Sequence, residues 1–245
     1  MINFLKENFK YTNDCIILAT PMVLFITLLQ VYVDAFQYDL SSKTSYIMFF
    51  IALWIGVSGC FAGWFYMVKK TLQFSKKTFL FDTDRLTALS KLLLCIFKGV
   101  GKFIIPFLPV VGAYFIYKVV SFITVIRVYN SPLKPHYNTL TLASDIITFI
   151  IGYFLIYWIP EIIYTYSNPF KALINSIKKS YISLKYAFIY YTLIIAGCLF
   201  LQFTIQEMKI YPVVYFLELL FFYYFILYSV ITIFRLYERN FIEEN

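Results

Sequence analysis

Hydrophobic positions in this chain gather into six long runs separated by polar segments. The runs start at Cys15, Tyr46, Phe103, Ile146, Tyr186 and Val213. Each continues for about 20 residues, the length a helix needs to cross the hydrocarbon core of a bilayer. The pattern predicts an all-α, polytopic membrane protein with spans over 15–36, 46–68, 103–126, 146–164, 186–205 and 213–234, so that 1–245 forms a single integral membrane domain. The first run resembles the core of a signal peptide in having Lys6 and Lys10 before it. It is too long for that role, and Tyr32-Val33-Asp34-Ala35-Phe36 offers no small-residue cleavage site, so it is read as a retained span.

Three of the polar segments also carry a helical period. After Asp84, Leu86, Leu89, Leu93, Ile96, Phe97 and Val100 recur at helical spacing, with Arg85, Lys91 and Lys98 elsewhere on the surface. After Asn168, a stripe of Phe170, Leu173, Ile174, Ile177, Tyr181 and Leu184 is accompanied by Lys171, Lys178, Lys179 and Lys185. Asn168-Pro169 is a good helix start, an acceptor side chain at the N-cap followed by proline at the first helical position. A shorter version opens the chain, with Ile2, Leu5, Phe9 and Thr12 on one side and Lys6 and Lys10 nearby. These segments are expected to form basic amphipathic helices lying in the membrane interface before spans 1, 3 and 5. Their near-equal spacing, each followed by two spans, implies a threefold parallel repeat.

Composition agrees with this pattern. A chain that is 61% hydrophobic and 14% charged lies outside the range of soluble domains. The 22% aromatic content reflects in part the codon usage of an A/T-rich genome rather than selection for stacking sites. The basic residues are unevenly placed. Of 21 Lys and Arg, Lys43, Arg127, Lys134 and Lys209 fall on one side of the predicted membrane, Lys118 falls within the third span, and the others fall on the opposite side. Because basic loops are retained in the cytoplasm, both termini are expected to be cytoplasmic and the protein to reside in the cell membrane. The net charge of +8 is then a consequence of topology, and nucleic acid is not needed to explain it.

Chemistry-bearing residues inside the spans are few. Gly59 and Gly63 form a small-xxx-small pair that lets helix backbones approach closely. Pro106, Pro109 and Pro160 are expected to adjust helix direction near the basic side. Lys118 and Glu218 are ionisable groups at similar depth, about 6 and 7 Å from the middle of their spans by helical rise, and an ion pair between them is expected. With Asp34 and Asp145 they would line a polar cavity opening away from the basic side. Glu161, after Pro160, is expected to form a salt bridge with the basic helices. The single histidine, His136, sits among turn formers. Neither a catalytic nor a metal site is expected: HExxH, GxSxG and phosphate-loop motifs are missing, and Cys15, Cys60, Cys95 and Cys198 have no metal-site spacing. No cofactor is expected.

The stretch from Asn168 to Tyr181, coming after one span and leading into another, resembles the corresponding loop of a broad group of bacterial six-helix membrane proteins of unknown function. That group includes the membrane domain fused to some glycerophosphodiester phosphodiesterases. The resemblance places catalysis of the fused members in a soluble domain that has no counterpart here, so it carries no catalytic residue over. Three functions follow as expectations. The first is a non-enzymatic module binding anionic lipids, or a protein partner at the cytoplasmic face, through Lys91, Lys98, Lys102, Lys171, Lys178, Lys179 and Lys185. The second is a transporter or permease component built around Lys118 and Glu218. The third is a lipid-modifying enzyme using Asp34, Asp145 or Glu218 as a general base.

Overall fold

The computed structural model describes residues 2–14, 22–25, 27–28, 31, 43–75, 85–129, 137–165, 168–207 and 212–242. The helices are α1 (Ile2–Asp14), α2 (Lys43–Ser75), α3 (Arg85–Tyr129), α4 (Tyr137–Phe154), α5 (Trp158–Thr165), α6 (Pro169–Ile182), α7 (Leu184–Glu207) and α8 (Pro212–Phe241). Among the described residues there is no strand. Five segments are long and apolar enough to cross a membrane: Ile47–Gln73, Leu93–Ser121, Ser144–Thr165, Leu184–Ile205 and Val213–Phe241. The second to sixth hydrophobic runs fall on these five. Most of the first run lies outside the described residues.

Large apolar side chains cover the outside of the bundle. Phe97 is 75% exposed and Ile105 74%, and Ile47, Met48, Ile150, Phe200 and Phe216 are also exposed. Water would not tolerate such a surface, whereas lipid chains solvate it at no cost. The protein is therefore a multi-pass, all-α membrane protein.

With no hydrophobic drive between helices in lipid, close contacts depend on small residues and hydrogen bonds. One such close contact joins α2 to α3. A Cβ on Gly63 would lie 2.7 Å from Ile96 Cγ2, and one on Gly99 would lie 3.0 Å from Ala62 O. Further along the pair, Trp54 Nε1 donates to Leu108 O at 2.8 Å. The indole reaches that carbonyl over Gly112, whose absent side chain leaves room for it. Phe65 then stacks between Phe107 and Phe234, both at 5.9 Å, tying α2 and α3 to α8.

The fourth crossing is broken at Leu155–Tyr157, where α4 gives way to α5. Pro160 explains the break, because it has no N–H to offer Ile156 O and its ring crowds the preceding turn. The chain tightens instead, with Trp158 N bonding to Leu155 O at 3.0 Å. An unbroken helix would pair Trp158 N with Phe154 O. Phe154 O instead accepts the Ser176 hydroxyl at 2.9 Å and the Ser180 hydroxyl at 3.4 Å, both from α6. Tyr153 returns a bond of 2.7 Å to Ser180 O. The proline break is thus what docks α6.

The second basic segment departs from the sequence expectation. No separate helix precedes the third span, since α3 runs unbroken from Arg85 to Tyr129 and carries Pro106 and Pro109 inside it. Gly99 and Gly101 lie at the end of the basic segment, just before the span, and α3 runs through both, with Gly99 making its contact with α2. The middle and last basic segments are therefore not equivalent in structure: α6 ends at Ile182 before α7 begins at Leu184, whereas the middle segment is continuous with its span.

A charged cluster and cavity at the basic end

Glu161 lies in the first turn of α5, where the helix dipole favours a carboxylate, and is 2% exposed. A buried carboxylate is costly unless paired and fully hydrogen-bonded, and this one is both. Its Oε1 accepts Asn175 Nδ2 at 3.0 Å; its Oε2 accepts Lys179 Nζ at 2.6 Å and the Tyr237 hydroxyl at 2.5 Å. Lys179 also donates to Tyr237 at 2.8 Å and lies 4.5 Å from the centre of that ring. Asn175 and Lys179 are one helical turn apart on α6, so one face of that helix supplies both partners.

A second group sits beside it. Lys69, near the end of the second crossing and 6% exposed, donates to Ile163 O at 2.8 Å and lies 4.6 Å from the Tyr164 ring centre. Ile163 is in the last turn of α5, whose carbonyls lack helical partners, and an ammonium there satisfies one of them and the dipole together. Tyr164 donates to Glu238 Oε1 at 2.5 Å. Between these groups opens a cavity of about 500 Å³ lined by Lys69, Gln73, Tyr164, Thr165, Lys179, Tyr237, Glu238, Phe241 and Ile242.

The N-terminal helix joins the same end. Its buried side is Phe4, Asn8 and Thr12, while Phe9 is exposed. Arg235 on α8 donates to Asn8 Oδ1 at 2.5 Å and to Glu7 Oε2 at 3.1 Å, and its guanidinium lies 4.2 Å from the Tyr11 ring centre. Asn8 Nδ2 donates in turn to Thr232 at 3.2 Å.

Asn168 caps α6 as expected, its side chain accepting Phe170 N at 2.9 Å, with Pro169 at the start of the helix. The inward face of α6 differs from the apolar stripe. Ala172, Ser176 and Ser180 are completely buried, whereas Phe170 is 66% and Tyr181 74% exposed, and Ile174 and Ile177 are exposed as well. Lys171, Lys178 and Lys185 are exposed, and Lys185 lies 5.9 Å from the centre of the Tyr186 ring. Lys179, grouped with them in the sequence, is turned inward to Glu161.

The remaining candidates are dispersed. Lys98 and Lys102 are exposed on α3, and Asp145 is exposed on α4. Glu218 on α8 is half-buried, and its Oε2 is buried with no hydrogen-bond partner among the described residues. Lys91 and Lys118 lie on α3 with side chains outside the description, and Asp34 and His136 are outside the described residues altogether, so the expected Lys118–Glu218 pair lies beyond what is described. Sequence reasoning singled out Glu161 but missed Lys69, Tyr164, Tyr237 and Glu238. The available signal was that Tyr237-Glu238 and Lys69 end long apolar runs on the same side as Glu161.

Fold and cluster together define a class, the all-α multi-pass membrane proteins. Within it the chain matches no protein-family model, no curated protein and no solved structure.

Proposed function

We propose that the protein is a non-enzymatic membrane module that engages anionic lipid headgroups at its basic end, held in the cell membrane with both termini cytoplasmic. The observation that carries this reading is the exposure pattern of α6. Its small face, Ala172, Ser176 and Ser180, packs on the protein, while Phe170, Ile174 and Tyr181 point away from it. On that helix Lys171 and Lys178 are seven residues, about two turns, apart and so share one flank, and Lys185 follows, exposed, in the first turn of α7. An outward apolar face bordered by a row of ammonium groups is the form of a helix lying at a lipid surface, apolar side toward the chains and lysines at the phosphates. The exposed apolar surface of the neighbouring spans makes lipid the natural occupant, with a docked protein as the competing one.

The test uses the full chain in bilayers containing phosphatidylglycerol and phosphatidylcholine. A spin label at Ile174→Cys is expected to meet oxygen in the hydrocarbon, and one at Lys178→Cys to meet a water-soluble relaxant. Phosphatidylglycerol is expected to be enriched around the protein and to lose that enrichment when Lys171, Lys178 and Lys185 become glutamine. An unchanged enrichment in the triple variant, or a water-exposed label at Ile174, would overturn the reading.

A second reading draws on Glu218, whose buried Oε2, unpartnered among the described residues, would suit a polar transport site shared with Lys118. Here Glu218→Gln is expected to abolish uptake in cells while leaving the protein folded, and unaltered uptake would remove it.

A further inference from the structure

The cavity at the basic end has a volume typical of small-ligand sites, about 500 Å³. Its walls combine polar and charged groups with the apolar side chains of Phe241 and Ile242. Among the described residues the charges do not balance. Lys69 and Lys179 line it, and Lys70 and Lys102 lie near enough to act on Lys69, against the carboxylates of Glu238, in the wall, and Glu161, behind Lys179. Among the described residues four ammonium groups stand in the wall or close behind it against two carboxylates, a field that draws anions.

The hydrogen bonding has the same bias. Both oxygens of Glu161 and one of Glu238 already accept bonds from within the bundle, so a cationic guest finds its natural acceptors engaged. Donors remain. Lys179 spends two N–H groups on Glu161 and Tyr237, and an ammonium has three. Gln73 uses its oxygen to accept Lys70 Nζ at 3.1 Å, which leaves its amide N–H groups as donors in the wall. The apolar side chains lower the local dielectric and strengthen ammonium–anion contacts.

We propose that this cavity binds a single phosphate-monoester group, with Lys179 and Gln73 as its donors and the Lys69 ammonium adding positive charge to the wall. The site stands apart from the outer lysines of α6 and rests on the membrane reading only where the phosphate belongs to a lipid.

The test titrates the full chain, purified in a neutral detergent, by native mass spectrometry. One arm uses glycerol 3-phosphate, the other phosphatidic acid, and phosphatidylcholine serves as the reference. Saturation at one equivalent in either arm is expected, and the arm that saturates tells a soluble ester from a lipid. Gln73→Glu keeps the acceptor for Lys70 and is nearly isosteric, so the fold survives it. Its added negative charge in the wall is expected to weaken binding about tenfold or more. Lys185→Gln, outside the cavity, is expected to leave binding unchanged. Absence of one-equivalent binding in both arms, or a Gln73→Glu chain that binds as well as the parent, would overturn the proposal. Either result would leave lipid enrichment by Lys171, Lys178 and Lys185 standing.

Discussion

Gly99 meets Gly63 so closely across the contact between α2 and α3 that a Cβ added to Gly99 would lie 2.9 Å from the Gly63 Cα and 2.7 Å from Tyr66 Cβ. Backbone cannot move aside as a flexible side-chain tip can. Gly99→Ala is therefore expected to destabilise the protein by about 1–3 kcal/mol, the usual cost of overpacking. Gly56 and Gly101 have open space where a Cβ would go. Alanine at those positions is expected to be neutral or to stabilise by up to about 1 kcal/mol through helix propensity. Thermal unfolding in detergent checks both, and an unaffected Gly99→Ala would mean the helices do not meet this way.

Glu161 supplies a second prediction. Glu161→Leu strands the Lys179 ammonium, Asn175 and the Tyr237 hydroxyl in a site with little water. Removing one partner of a buried pair costs about 3–5 kcal/mol, and the lower end applies here because the Lys179 side chain keeps 23% of its exposure. Adding Lys179→Met to Glu161→Leu is expected to recover part of the loss, since no unpaired charge then remains. Unfolding of the two single variants and the double variant, read as a cycle, measures the coupling.

Much of this architecture was readable from the sequence, and most of what was not has one cause. Five crossings, the Asn168 cap and the pairing of Glu161 with a basic helix follow from run length, capping chemistry and the cost of a buried charge. The inward faces of α1 and α6 do not follow from such rules. In water, an apolar stripe marks the side facing the core. In lipid, the surroundings are as apolar as the interior, so Phe170 and Tyr181 face out while Ser176 and Ser180 face in. Asn8 and Thr12, completely buried on α1, follow the same logic. The unbroken α3 was hidden for another reason: the helical period of the basic segment and the apolar run of the span read as two elements, and neither pattern marks Gly99 as the place where α2 packs.

Arg235 is expected to govern the attachment of the N-terminal helix. Its guanidinium bonds Asn8 and Glu7 and lies against Tyr11 and, at 5.2 Å, Phe4. A lysine keeps the charge but cannot fork between two acceptors while lying flat on a ring. Arg235→Lys is therefore expected to speed hydrogen exchange across Ile2–Asp14 with little effect on the α2–α3 pair. Exchange unchanged in α1 would show that Phe4, Asn8 and Thr12 hold it unaided.

Proposed topology makes the last prediction. Lys98 and Arg127 are both exposed and both on α3. At about 1.5 Å per residue they stand roughly 44 Å apart along one helix, close to the full thickness of a bilayer with its headgroups, about 40–45 Å. The two cannot reach the same water phase unless the helix lies along the surface, and its apolar sides from Leu93 to Ser121 argue against that. The contacts of Arg235 with Asn8 and of Lys179 with Glu161 bring α1, α5, α6 and the end of α8 together at one end of the bundle. Cysteines at Lys10, Lys98 and Lys178 are therefore expected to share one accessibility to an impermeant thiol reagent, reacting only after cells are opened. A cysteine at Arg127 is expected to react in intact cells. Labelling of positions 98 and 178 from opposite sides would break the link between the basic end and a single membrane face, and the lipid-surface role proposed for α6 would fall with it.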